Sequence, residues 1–161
     1  MAVAEDDIDF AVAAYRDGAG WSVQELVPDH LEDVESIAAA LRRLPGDGAV
    51  AMVGVDEDFF LIVRTVGPTT RVLLSDASAA DDWDLAESAL DFLGLTDLEV
   101  DDDEAVPAGD LDLLGDLGLS DLDLTELLED TDAYPDELLS DVAARLGFGE
   151  QFDDVVGFTT A

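Results

Sequence analysis

Apolar positions along the chain first follow the short rhythm of strands. Residues 8–16 are small and β-compatible, Asp17, Gly18, Ala19 and Gly20 supply turn chemistry, and Trp21, Val23, Glu25 and Val27 then alternate along one face. That pattern predicts a hairpin. After Pro28 the spacing changes, and Leu31, Val34, Ile37, Ala38, Leu41 and Leu44 recur at intervals of three and four, the stripe of an amphipathic helix. Asp29 or the acids near it supply the cap, Glu32, Asp33 and Glu35 early and Arg42 and Arg43 late complement the helix dipole, and Pro45-Gly46 stops it. Three apolar runs at 48–55, 59–66 and 71–75, joined by two short polar breaks, predict an antiparallel meander. Leu85, Ala89, Phe92 and Leu93 make a second helical stripe over 84–93, ended by Gly94. The order ββαβββα predicts the α+β class: a two-layer domain with an antiparallel five-stranded sheet covered by helices, followed by a small acidic C-terminal helical annex.

Beyond residue 95 neither period holds at first. Residues 96–109 read as an acidic linker containing Pro107, so the expected division is a scaffold at 1–95, the linker, and a leucine-rich annex at 110–161. In the annex, a short helix is expected over 125–130. Another starts at Pro135, carries Leu138, Leu139, Val142 and Leu146, and closes at Gly147. Phe148, Phe152, Val155 and Val156 are placed to fasten the tail to a core.

Charge changes the picture. With 41 acids, six arginines and no lysine, the net charge is −35, yet 48% of residues are hydrophobic, enough to build a core. Residues 72–141 carry 24 Asp and Glu and no basic residue. A chain of this sign repels phosphate backbones and anionic membranes and attracts basic proteins in a salt-sensitive way. In the N-terminal half the acidity is equally consistent with plain solubility, an all-Arg basic set being common in chains from GC-rich or salt-loving sources, and in the C-terminal half that reading carries less weight. Direct nucleic-acid binding is therefore not expected. No cysteine is present, which removes disulfides, thiolate metal sites and Cys nucleophiles. The chain shows no leader-like start and no apolar run long enough for a membrane span, so a cytoplasmic protein is expected.

Residues 106–119, Val-Pro-Ala-Gly-Asp-Leu-Asp-Leu-Leu-Gly-Asp-Leu-Gly-Leu, together with Tyr134-Pro135-Asp136-Glu137 and Arg145-Leu146-Gly147-Phe148-Gly149, resemble the actinobacterial tRNA adenosine deaminase-associated family. The likeness extends from about residue 8 to residue 156 and includes the hairpin, the first helix and the strand end at residues 72–77. The resemblance implies a partner role beside the deaminase and no assigned activity. The chain is not itself such a deaminase, because a zinc deaminase needs His-x-Glu and Pro-Cys-x-x-Cys to activate water. At the level of fold order alone, ββαβββα also resembles roadblock, longin and profilin-like modules, which mostly serve as binding scaffolds.

The expected partner-binding residues are Asp110, Leu111, Asp112, Leu113, Leu114, Asp116, Leu117, Asp121 and Asp123. Two main readings of this Asp-Leu segment stay open. In one it is a cap whose leucines pack on the scaffold while its aspartates face water; in the other, leucines fill a partner's groove and carboxylates meet its Arg and Lys. A third reading has the carboxylates imitate a phosphate backbone. Calcium is disfavoured: an EF-hand frame from Asp110 has Leu114 at a ligand position and Asp121 in place of the closing Glu. Ser120-Asp121-Leu122 resembles an acyl-carrier centre with the order transposed, and Ser120 reads more simply as an N-cap. His30 reads as a turn residue, Ser75 beside Asp76 as a helix cap, and Trp21 and Trp83 as core or interface residues. No catalytic, metal or cofactor constellation is found. The expected function is a non-enzymatic acidic adaptor for a basic partner, with the tRNA adenosine deaminase as candidate and self-association left open. The alternatives are an acidic nucleic-acid mimic and, more remotely, an acyl-carrier-like annex.

Overall fold

Strand-forming residues that alternate between two buried faces dominate the first half of the molecule. In a computed structural model of the chain, residues 8–17, 20–26, 34–44, 48–55, 59–66, 69–75, 84–94, 108–109, 111–115, 118–128 and 135–156 are described. They form strands β1 (Ile8–Asp17), β2 (Gly20–Glu25), β3 (Gly48–Val55), β4 (Phe59–Val66), β5 (Thr69–Leu74) and β6 (Ala108–Gly109). Helices α1 (Val34–Arg42) and α2 (Asp84–Leu93) interrupt and follow the meander, and α3 (Asp121–Leu128), α4 (Pro135–Leu146) and α5 (Gly149–Val156) follow β6. The α+β class and the five long antiparallel strands match the sequence pattern. The sheet order is β2-β1-β3-β4-β5-β6, so β6 adds a two-residue sixth strand at the edge, inside the stretch expected to be linker.

Alternation along the strands sends every second side chain to each side of the sheet. Ala11, Ala13, Ala51, Val53, Leu61 and Val63 join α1 and α2 in one buried cluster. Val12, Ala14, Val50, Met52, Phe60 and Ile62 join the annex residues Leu113, Leu114, Leu119, Leu124, Leu139, Val142, Phe148 and Phe152 in the other. The annex therefore lies on the second face of the sheet and adds a third layer to the two expected. Each fully buried aromatic there contributes about 1.5–3 kcal/mol of apolar transfer.

Local contacts explain how these layers close. Ser88 in α2 accepts a hydrogen bond from the Val34 amide at 2.9 Å, satisfying one of the open N–H groups at the start of α1. The sequence suggested Asp29 or its neighbours for this task, and Asp29 lies outside the described residues. Ser75 behaves differently from the expected helix cap: its Oγ accepts from the Phe60 amide at 2.8 Å, while its own amide donates to the Phe60 carbonyl at 3.0 Å. Its hydroxyl thus extends the β4–β5 ladder past the last paired residues. At the end of α4, Gly147 takes φ +109° and both the Gly147 and Phe148 amides donate to the Ala143 carbonyl. This left-handed cap turns the chain so that Phe148 enters the second core against Trp21, with ring centroids 4.8 Å apart. Trp21 is half-buried there, in keeping with a core role; His30 and Trp83 lie outside the described residues.

Candidate partner-binding surface

The Asp-Leu segment is neither helix nor strand at its start, and its hydrogen bonds show why. Gly109 takes φ +120°, and a Cβ there would collide with the Val72 carbonyl oxygen, so glycine is what lets β6 lie against β5. The chain then turns: the Gly115 amide donates to the Asp112 carbonyl at 3.0 Å, and the Leu119 amide reaches back to the Leu114 carbonyl at 3.3 Å. The buried Arg64 of β4 fixes this turn to the sheet by donating to the Leu113 carbonyl at 2.7 Å. A tight turn followed by a helix allows two consecutive leucines, Leu113 and Leu114, both to point inward, which a regular strand does not.

Helix α3 begins earlier than residue 125. Ser120 caps it as expected, its Oγ accepting from the Asp123 amide at 3.2 Å and its carbonyl accepting from the Leu124 amide at 3.0 Å. Asp121 and Asp123 then occupy the first turn, where the helix dipole favours negative charge. Leu124 is fully buried, and Leu127 and Leu128 pack beside it, whereas Leu122 points away at 72% exposure.

These elements divide the nine expected site residues. Leu113 and Leu114 are fully buried in the second core and Leu111 packs against it, so these leucines hold the annex to the sheet in the folded chain. Asp112 and Asp121 are exposed and Asp123 is half-buried. Asp110, Asp116 and Leu117 lie outside the described residues. The outer surface of the annex is continued by exposed Glu126, Glu137, Asp141, Glu150 and Asp154, against which the described part of the annex sets Arg145, bonded to Asp141 at 3.3 Å. Ser140 donates to Asp153 at 2.9 Å and joins α4 to α5. Among the described residues of the annex, this surface offers a broad set of solvated carboxylates with one large apolar projection, Leu122.

Arginines Arg64 and Arg71 were not singled out by sequence reasoning. They face each other across β4 and β5, and with Val66, Thr69 and Asp112 they line an open cleft of about 360 Å³. The signal for Arg64 was present as a lone charge at an alternate position of an otherwise apolar strand. Among the described residues no group of three His, Asp or Glu is disposed to hold a metal ion, and no helix is long and apolar enough to cross a membrane.

A family model described as Rv3753c-like tRNA adenosine deaminase-associated protein matches residues 9–149, a span that contains the sheet, α1, α2 and the annex through α4. The chain belongs to this family. It is similar to Protein Rv3753c of Mycobacterium tuberculosis, 39% identical over 153 residues, an overlap of 91% of this chain and 87% of that protein. No solved structure matches the chain. Membership in the Rv3753c-like family thus rests on sequence over the sheet and most of the annex, and the family description names an associate of the deaminase.

Proposed function

We propose that the chain is a non-enzymatic acidic adaptor that binds a basic protein through the outer surface of its annex, and that the partner is the tRNA adenosine deaminase named in the family description. The observation that carries this reading is the division of the Asp-Leu segment: its described leucines Leu113 and Leu114 are buried, while Asp112 and Asp121 stand in solvent. Packing uses the leucines; Asp121 also favours the start of α3, and neither of these exposed carboxylates is part of the buried core. Together with a net charge of −35, the outward carboxylates also provide long-range attraction to a cationic surface.

Leu122 separates this reading from the acidic-mimic alternative. A protein partner fills a pocket with it, whereas a mimic that occupies a nucleic-acid site relies on carboxylates alone. The test is titration of the purified deaminase with this chain at rising salt, using the pair Asp121→Lys and Leu122→Ala. For the adaptor, Asp121→Lys weakens binding at low salt, and Leu122→Ala weakens it about tenfold at every salt concentration, the size expected when a buried anchor is truncated. Binding that ignores Leu122→Ala and vanishes as the screening length falls from about 8 Å to about 3 Å supports the mimic. If the deaminase does not bind at low salt, and a pull-down from native lysate recovers no basic protein, the adaptor is ruled out.

A further inference from the structure

We propose that the outer edge of β2 takes an extended basic segment of a partner protein as a further strand of the sheet, with Val23 and Glu25 as the pairing rungs. β2 stands at one end of the sheet, and its register with β1 runs unbroken from Asp17↔Gly20 to Val12↔Glu25. The Leu26 amide donates to the Ala11 carbonyl at 2.9 Å, which makes that rung a hydrogen-bonded one. Bonded and non-bonded rungs alternate in an antiparallel pair, so Gln24, Ser22 and Gly20 also turn their backbone groups toward β1. Glu25, Val23 and Trp21 turn theirs outward.

A contact at Trp21 gives the same direction independently. Its carbonyl accepts from the Gln151 side-chain amide of α5 at 3.4 Å, so a helix side chain stands where a neighbouring strand would place a donor. Among the described residues nothing bonds to the outward backbone groups of Val23 or Glu25, and the side chains of Gln24 and Glu25 are exposed. Each residue carries one N–H and one C=O, so these two rungs offer an incoming strand two donors and two acceptors.

The two ends of the sheet differ in their protection. β6 is two residues long, too short to template a partner. β2 is six residues long and holds no proline, lysine or bulge, the devices that ordinarily blunt an edge. Charge then selects the occupant. β2 and α5, which packs beside it, carry Glu25, Glu150, Asp153 and Asp154 and no basic residue, while Arg16 of β1 sits at the hairpin end of the register, opposite Trp21. A second copy brings the same acids and a charge of −35 to this edge, whereas a basic segment brings the opposite sign. Strand addition supplies affinity through main-chain bonds and selectivity through alternate side chains. The inference rests on the adaptor reading for the sign of the partner's charge and adds the form of the contact.

The probe is a peptide of alternating Arg and Val, about eight residues long to match a typical strand, added to the ¹⁵N-labelled full chain. Its control is the same peptide with every backbone amide N-methylated, equal in charge and without donors. Amide hydrogen exchange is the readout. In the free chain the Ser22 and Gln24 amides are held by β1, and the Val23 and Glu25 amides exchange freely. The expected result is saturable binding that slows exchange about tenfold or more at Val23 and Glu25 and changes Ser22 and Gln24 little. The methylated peptide binds about tenfold more weakly and protects neither. Glu25→Pro removes an outward donor and a charge, Glu25→Gln the charge alone, and the proline variant weakens binding more. Proline is tolerated where an edge N–H faces solvent, which an unchanged amide spectrum verifies; if it perturbs the fold, the exchange pattern of the parent chain still decides. Equal binding of both peptides with no protection at Val23 and Glu25 overturns the proposal, since charge alone then accounts for the attraction. Protection of these amides without peptide, rising with chain concentration, also overturns it and assigns the edge to a second copy. The deaminase titration with Leu122→Ala uses neither peptide nor edge, so the adaptor reading and this one fail separately.

Discussion

The two faces of the sheet are buried by different means. On the α1/α2 face β1 and β3 present Ala11, Ala13, Ala49 and Ala51 while β4 and β5 present Phe59, Leu61 and Leu74, and the helices answer with Ala38, Ala40, Ala86 and Ala89 beside Ile37, Leu41 and Leu90. On the annex face the sheet presents Met52, Phe60, Ile62 and Leu73, and short helices and a turn answer with leucines, Phe148 and Phe152. Where alanines of both partners meet, regular helices lie closely over the sheet, and the larger residues fill the space around them. Large side chains let short and irregular segments reach the same surface. The difference teaches that the annex needs no long helix to be part of the fold, because reach is supplied by the side chains.

That contrast can be broken first on the annex face. Phe148→Ala removes a fully buried ring and its Trp21 contact, and is expected to cost about 3–5 kcal/mol, read as a fall in the urea midpoint. The other face should fail by overfilling. Ala51 is fully buried in the alanine-rich cluster, so Ala51→Leu is expected to cost about 1–3 kcal/mol in the same measurement, without the cavity that Phe148→Ala leaves. The smallest effect tests the turn between β6 and α3. Ser120→Ala deletes the acceptor for the Asp123 amide and should cost about 1 kcal/mol, because the cap is exposed and water replaces part of it. Equal losses at all three positions would mean that the two faces do not differ as their side chains suggest.

The same contrast marks what the chain's pattern made legible. Strands β3 and β4 coincide with the expected runs, and α2 and α4 with the expected stripes, because each repeats one period for at least two turns or six residues. The segment from Leu111 to Leu119 repeats none. Its inward residues Leu113, Leu114 and Leu119 are selected by a turn and by Arg64, which lies about 50 positions earlier, and no local spacing encodes that partner. Strand β6 was hidden for a similar reason: two residues, Ala108 and Gly109, join the edge because Gly109 can approach Val72, a long-range fact. The carboxylates of the candidate surface were legible as composition. Their separation from the leucines, outward against inward, required the fold.

The third layer also imposes an order on synthesis. Val12, Ala14, Val50, Met52, Phe60, Ile62 and Leu73 all leave the ribosome before any of Leu113, Leu139, Phe148 or Phe152, the residues that cover them. At about 5–20 residues per second, the interval between making Leu73 and making Phe152 is roughly 4–16 s. For that time the nascent sheet has one apolar face without its cover, and what the growing chain adds next is the acid-rich run that begins at Asp76. The charge thus comes before the cover, and like-charge repulsion between neighbouring nascent chains acts while the bare face is open.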